Sequence, residues 1–159
     1  MARKPTLYLE TTVVSYYTAK PSRDVVALAH QEITRRFWER SLPRFAVYIS
    51  EIVLEEARRG DRDASRARLE ALAGFPLLQV TEDTERLAEE YLRRRVVPRG
   101  KPRDALHIAL ATLYRMDFLA TWNCGHIASG DTRRRLRDIH SRQGLPLPII
   151  CTPEELLER

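Results

Sequence analysis

The sequence predicts an α/β fold in which a parallel sheet is covered by helices on both faces. Short apolar runs of strand length alternate with segments of helical periodicity along the chain. The chain has 159 residues, the usual size of one domain, so we expect a single domain over residues 1–159. Apolar residues make up 43% and charged residues 31%, a globular balance that excludes a disordered chain.

Four short apolar runs predict strands of this sheet, and a fifth, Leu77–Val80, is a short apolar piece without a strand assignment. Each run is bounded by polar or turn-forming residues, as expected of buried strands in a parallel sheet. In chain order the four predicted strands are Leu7–Leu9, Phe45–Ile49, Phe118–Ala120 and Leu147–Ile150.

Helices are predicted where apolar residues recur every three or four positions between capping residues. The first begins at Thr11 or Thr12, directly after the first strand, and Pro43 stops the second. The later ones cover, in order, Arg23–Arg40, Ser50 to Gly60, Ala64–Ala73, Thr81 or Asp83 to Arg95, Arg103–Tyr114, Gly130–Arg142 and a last helix opened by Thr152.

The charge of the chain favours a polyanionic partner. Lys and Arg number 27 against 22 acids, which gives a net charge of +5. Of these 27, 24 are arginine, the better ligand for phosphate, although a coding preference for arginine explains the ratio equally well. No apolar segment is long enough to cross a membrane or to form a signal sequence, and only two cysteines occur, so we expect a cytoplasmic protein without membrane contact.

Several familiar sites are absent from the sequence. It contains no G-x-G-x-x-G or G-x-x-x-x-G-K-[ST] loop and no G-x-S-x-G turn. A phosphoacceptor receiver domain is excluded as well, because no acidic pair follows the first strand. Dinucleotide, NTP and α/β-hydrolase sites are therefore not expected.

Acids lie where an α/β fold binds ligands, beyond the carboxyl ends of its strands. Glu10 ends the first strand, Glu55 and Glu56 share one helix, and Asp104 opens another. Carboxylates gathered in this way suit Mg²⁺ or Mn²⁺, which can activate water for phosphodiester cleavage. Two alternatives stay open: Glu55, four residues after Glu51, fits a solvated acid better, and Asp104 fits a helix cap equally well.

Nitrogen and sulfur side chains give weaker signals. His107 lies one turn after Asp104, where a core histidine is the ordinary interpretation. Cys124 and His126 form a C-x-H pair, but without a second pair this is weak support for zinc.

Four segments of the sequence resemble the signature blocks of the PIN domain, and most of all those of VapC-type toxins. Their order and spacing span nearly the whole chain. They are residues 7–14 (LYLETTVV), 50–60 (SEIVLEEARRG), 104–111 (DALHIALA) and 119–127 (LATWNCGHI).

This resemblance implies a three-layer α/β/α sandwich, a Mg²⁺- or Mn²⁺-dependent ribonuclease site, an RNA substrate and an antitoxin partner. Homodimers are common in the family. The first three matching site residues would hold the metal and the fourth would position water or phosphate, with Thr11, His107 and His126 in support. In chain order the four are Glu10, Glu56, Asp104 and Asn123.

Two positions depart from the family pattern. Glu10 replaces the usual Asp and carries its carboxylate about 1.5 Å further. Asn123 offers a neutral oxygen, and His126 stands where a further acid sometimes follows. These departures leave a second hypothesis open, a PIN-like module that binds RNA or protein without cleaving RNA.

A basic segment precedes Asp104 directly and is a candidate for binding the RNA backbone. Residues 93–103 (RRRVVPRGKPR) include the candidate contacts Arg95, Arg99, Lys101 and Arg103. A solvated loop is the alternative. Trp122 is a candidate for stacking on a base, or else an ordinary packing residue.

Overall fold

The computed structural model describes residues 2–158 and contains a five-stranded sheet in which all paired strands are parallel. The strands are β1 (Thr6–Leu9), β2 (Ala46–Ser50), β3 (Leu77–Leu78), β4 (Phe118–Ala120) and β5 (Ile149–Cys151). Their order across the sheet is β3-β2-β1-β4-β5. The predicted α/β fold class with a central parallel sheet is confirmed.

Within residues 2–158, seven α-helices connect the strands. They are α1 (Thr11–Thr18), α2 (Val25–Arg36), α3 (Glu51–Ala57), α4 (Arg62–Leu72), α5 (Glu82–Arg93), α6 (Pro102–Leu113) and α7 (Gly130–Gln143). Polar side chains cap most of them: Ser50, for example, accepts a hydrogen bond from the Val53 amide at the start of α3. No helix among the described residues is long and apolar enough to cross a membrane.

The strand order explains why helices cover both faces of the sheet. The chain moves from β1 through β2 to β3 in one direction, then crosses to β4 and moves to β5 in the other. Because crossover connections between parallel strands are right-handed, these two directions place helices on opposite faces. The central strand, β1, is buried along its whole length, with Leu7 and Leu9 fully inaccessible.

The structure corrects three predicted boundaries. The predicted helix Arg23–Arg40 ends as an α-helix at Arg36, and Phe37–Ser41 forms a single wider π turn before Pro43, which has no amide hydrogen to continue the ladder. The strand β5 begins at Ile149 instead of Leu147, because Pro148 cannot donate to a strand partner. The last predicted helix is a four-residue 3-10 turn.

Candidate active site

The predicted site lies where the strand order reverses, at the carboxyl ends of β1 and β4. Glu10 directly follows β1 and Thr121 directly follows β4. The Glu10 amide donates to the Ala120 carbonyl at 3.1 Å, which extends the pairing of the two strands to the edge of the site. Ligands bind at such a reversal in open α/β folds.

The carboxylate of Glu10 is buried and held by hydroxyl and amide donors. Only 3% of the residue is exposed. Its Oε2 accepts from the Thr12 amide at 3.0 Å, and its Oε1 accepts from the Thr12 hydroxyl at 2.5 Å. The Thr121 hydroxyl also donates to Oε1. Within residues 2–158 no basic nitrogen lies within 4 Å of it, so this buried acid has no ion-pair partner.

Glu56 lies in the last turn of α3, the helix that follows β2, and its carboxylate is close to that of Glu10. Its Oε1 accepts from the Thr11 hydroxyl at 2.9 Å and from His107 Nε2 at 2.5 Å. Its Oε2 receives no hydrogen bond from any described residue. Burial would raise the pKa of Glu56, but the hydrogen bond and charge of His107 outweigh burial and lower it.

His107 belongs to a buried chain of hydrogen bonds. Its Nδ1 lies 2.6 Å from the Tyr8 hydroxyl, which lies 2.7 Å from Ser50 Oγ. Because Ser50 already accepts from Val53, every proton finds an acceptor when Ser50 donates to Tyr8, Tyr8 donates to Nδ1, and Nε2–H donates to Glu56. Burial would lower the pKa of His107, but the neighbouring acids raise it.

Three of the sequence-predicted residues come together in space. Ligand atoms of Glu10, Glu56 and His107 all lie within 4.8 Å of one another, and among the described residues no other group of three or more His, Cys, Asp or Glu side chains does so. Asp104 lies outside this cluster, half-buried in the first turn of α6, although its negative charge helps to raise the pKa of His107.

The turn after β4 is joined to Thr121, whose hydroxyl accepts from the Asn123 amide at 2.9 Å. Asn123 Oδ1 accepts from the His126 amide at 2.9 Å, so this amide side chain closes the turn. Trp122 is 8% exposed, stacks on His30 at 4.1 Å and donates to Thr34 at 2.8 Å, so it packs in the core and offers no free face to a base. Cys124 is exposed and, within residues 2–158, belongs to no cluster of metal-ligating groups.

The residues predicted to contact RNA differ in whether they already form an ion pair within the protein. Arg95, Arg99 and Lys101 are exposed, and none of them forms an ion pair within the described part of the chain. Arg103 instead donates to Glu55 at 3.1 Å, which also accounts for Glu55 lying outside the acidic cluster. Arg95, Arg99 and His126 line one groove of about 730 Å³ beside the β4–α7 loop.

Sequence reasoning missed three residues that hold the site in place: Tyr8, Ser50 in its contact with Tyr8, and Thr121 as a donor to Glu10. Tyr8 offered one signal, a polar atom within a strand otherwise made of apolar and Thr residues. Its partner lies 99 positions further along the chain, so only the folded structure shows what the hydroxyl contacts.

Comparisons with known proteins identify the family and support the fold. The family model of the PIN domain matches residues 7–139, and the chain therefore belongs to the PIN domain family. Among solved structures, it is similar to VapC20 of Mycobacterium tuberculosis, described as a toxin that cleaves the sarcin-ricin loop. That match has a TM-score of 0.59 and 21% identity, and covers 79% of this chain and 95% of the other.

A second similar structure is VapBC2 of Rickettsia felis, solved bound to a DNA fragment from its promoter. Its TM-score is 0.50 at 16% identity, and the match covers 92% of this chain and 98% of the other. At these identities the two structures support the fold. A search of curated proteins gives no match.

Proposed function

We propose that this protein is a divalent-metal-dependent endoribonuclease that acts as the toxin of a toxin–antitoxin pair. One observation carries the proposal: in a PIN fold, at the reversal of strand order, Glu10 and Glu56 are folded into one cluster although 46 positions separate them. Holding two carboxylates together costs free energy unless a cation joins them.

The donor set fits Mg²⁺ or Mn²⁺, ions that prefer carboxylate oxygen. Glu10 and Glu56 would hold the ion, with Asp104 approaching from the first turn of α6. When bound, such an ion activates a water for attack on a phosphodiester and stabilises the leaving oxygen.

The remaining residues hold these groups and bind the substrate. Thr12 and Thr121 fix the Glu10 carboxylate, and Thr11 fixes that of Glu56, so neither needs to reorganise during the reaction. Asn123, in the β4–α7 loop, would position the water or the phosphate, with His126 in support. Arg95, Arg99 and Lys101 would contact the RNA backbone, which predicts that binding weakens as salt is added.

Partners are proposed from the family and from the similar structures. The VapBC2 structure contains a toxin with its antitoxin, and VapC20 is described as a toxin that cleaves the sarcin-ricin loop. We propose an antitoxin for this chain, a stem-loop RNA as its first test substrate, a cytoplasmic location, and homodimerisation as the state to measure in solution.

The test is cleavage of a structured RNA pool with Mg²⁺, with Mn²⁺ or with EDTA, using the wild type, Glu56→Gln and Glu55→Gln. Gln at position 56 keeps the acceptors for Thr11 and His107 but loses the charge. Glu55 is its matched control, because it is adjacent, exposed and outside the cluster. We expect metal-dependent cleavage that falls at least about 100-fold in Glu56→Gln and persists in Glu55→Gln.

Cleavage that persists in EDTA, or that is equal in both variants, would contradict the proposal. Salt-sensitive RNA binding without cleavage by the wild type would favour instead the RNA-binding module without activity. As a further check, induction of the wild type in a bacterial host should arrest growth, and induction of Glu56→Gln should not.

A further inference from the structure

We infer that His107 is a direct metal ligand and that the site prefers a first-row transition ion such as Mn²⁺ over Mg²⁺. This inference rests on the proposed metal-dependent function and deepens it. The structure brings an imidazole, instead of a third carboxylate, into contact with the acid pair: Nε2 of His107 is 2.5 Å from Glu56 Oε1, and Asp104 stays outside the 4.8 Å cluster.

The buried charge points to a cation. Only 3% of Glu10 is exposed, and no basic nitrogen within residues 2–158 lies within 4 Å of its carboxylate. An unpaired buried carboxylate is costly, so its retention beside a second acid indicates that a cation is bound in the working state.

The spacing of the three groups suits an ion. Ligand bonds of about 2.1 Å place opposite ligand atoms about 4 Å apart and adjacent ones about 3 Å apart. The three side chains already lie within 4.8 Å, and the 2.5 Å contact of His107 with Glu56 has to widen by only about half an ångström. Without an ion, a proton joins these two ligand atoms.

The second ring nitrogen is also prepared for this role. Histidines that bind metals almost always donate their other N–H to a fixed acceptor. The Tyr8 hydroxyl, 2.6 Å from Nδ1, can accept as well as donate, and its contact with Ser50 fixes its position. Once Nε2 binds the ion, Nδ1 can therefore carry the ring proton and donate it to Tyr8.

The donor set then decides which ion is preferred. Mg²⁺ demands oxygen ligands in near-ideal octahedral geometry, whereas imidazole nitrogen suits transition ions. Two carboxylates and one imidazole therefore favour Mn²⁺ over Mg²⁺, and the contrast disappears if the third ligand is the carboxylate of Asp104.

The direct test is electron spin echo spectroscopy of Mn²⁺ bound to the full chain, together with Mn²⁺ and Mg²⁺ dissociation constants from calorimetry. We expect modulation from a directly bound histidine nitrogen, which changes on labelling histidine with ¹⁵N, and Mn²⁺ binding at least about tenfold tighter than Mg²⁺. The labelled wild type needs no substitution, so the measurement stands even if a variant misfolds.

Two variant pairs locate the effect. His107→Gln should remove the nitrogen signal and weaken Mn²⁺ binding about 10- to 100-fold, whereas His140→Gln, which replaces a buried histidine bonded to Tyr91, should do neither. Tyr8→Phe removes the partner of Nδ1 and should weaken Mn²⁺ binding about tenfold. Its matched control is Tyr91→Phe, which deletes the same hydroxyl-to-histidine bond away from the site.

Each outcome separates this inference from the proposed function. Bound Mn²⁺ without a nitrogen signal, or equal binding by His107→Gln, overturns the inference and leaves the nuclease proposal intact. A nitrogen signal without RNA cleavage supports the inference and contradicts the nuclease. Absence of any ion binding by the wild type overturns both.

Discussion

Shortening Glu10 by one methylene tests whether this departure from the family pattern is fitted to its surroundings. In Glu10→Asp the carboxylate retracts by about 1.5 Å. Full retraction away from the other two ligands adds about 1.5 Å to separations that are now at most 4.8 Å, which would carry the carboxylate out of reach of an ion that spans roughly 4 Å between opposite ligands. The bond from Thr121 is also lost if the carboxylate stays with Thr12.

The expected result is weaker ion binding without loss of stability. Asp caps a helix as well as any residue, so the start of α1 should hold and the melting temperature should stay within a few degrees. We expect Mn²⁺ affinity to fall about tenfold, equivalent to about 1.4 kcal/mol, and cleavage to fall with it.

The assay is calorimetric titration with Mn²⁺ beside thermal unfolding, with Glu55→Asp as the control for shortening an exposed acid. Tighter Mn²⁺ binding and faster cleavage by Glu10→Asp would refute this reasoning. That result would show that the shorter residue of the family suits this site and that Glu10 is a poor ligand.

Two further predictions concern residues outside the cluster of Glu10, Glu56 and His107. Burial lowers the pKa of His140, so its contribution to folding stability should be fully present above about pH 6.5 and decline as the pH falls. The decline in the free energy of unfolding should be at most about 1.4 kcal/mol per pH unit. Urea unfolding between pH 5 and 7.5 should show this pH dependence in the wild type and not in His140→Asn. An equal slope in both proteins would contradict the assignment. Trp122→Phe should lower the free energy of unfolding by about 1–3 kcal/mol because the Thr34 hydroxyl loses the indole N–H donor, and the KM for RNA should stay unchanged. A raised KM with unchanged stability would show instead that Trp122 stacks on a base.

The sequence could predict those parts of the fold that local pattern determines. Apolar runs and capping residues located four of the five strands, the two-residue β3 falls within the short apolar piece Leu77–Val80, and Ser50 was correctly identified as the cap of α3. Boundaries shifted where proline removed a donor, at Pro43 and Pro148, because the effect of one missing amide depends on the pairing around it.

The site was less predictable because its contacts join distant parts of the chain. Glu10 and Glu56 could be aligned with a family pattern, but the closeness of His107 to Glu56 depends on how α3 packs against α6. Asp104 and His107 share one helix, and no local pattern indicates which of the two lies closer to the acids. The contacts of the Tyr8 hydroxyl could not be predicted either, because sequence periodicity predicts burial but not the partner of a polar atom.

The pairing of β1 with β4 has a consequence for how the protein is made. The central strand is synthesised before the other four strands, yet its neighbour on one side lies more than 100 residues later, so the middle of the sheet cannot close until residue 120 has been synthesised. Thr121, which holds Glu10, arrives later still. A growing chain therefore lacks the assembled cluster until residue 121 has been synthesised, so the ribonuclease activity that we propose could not begin before that point.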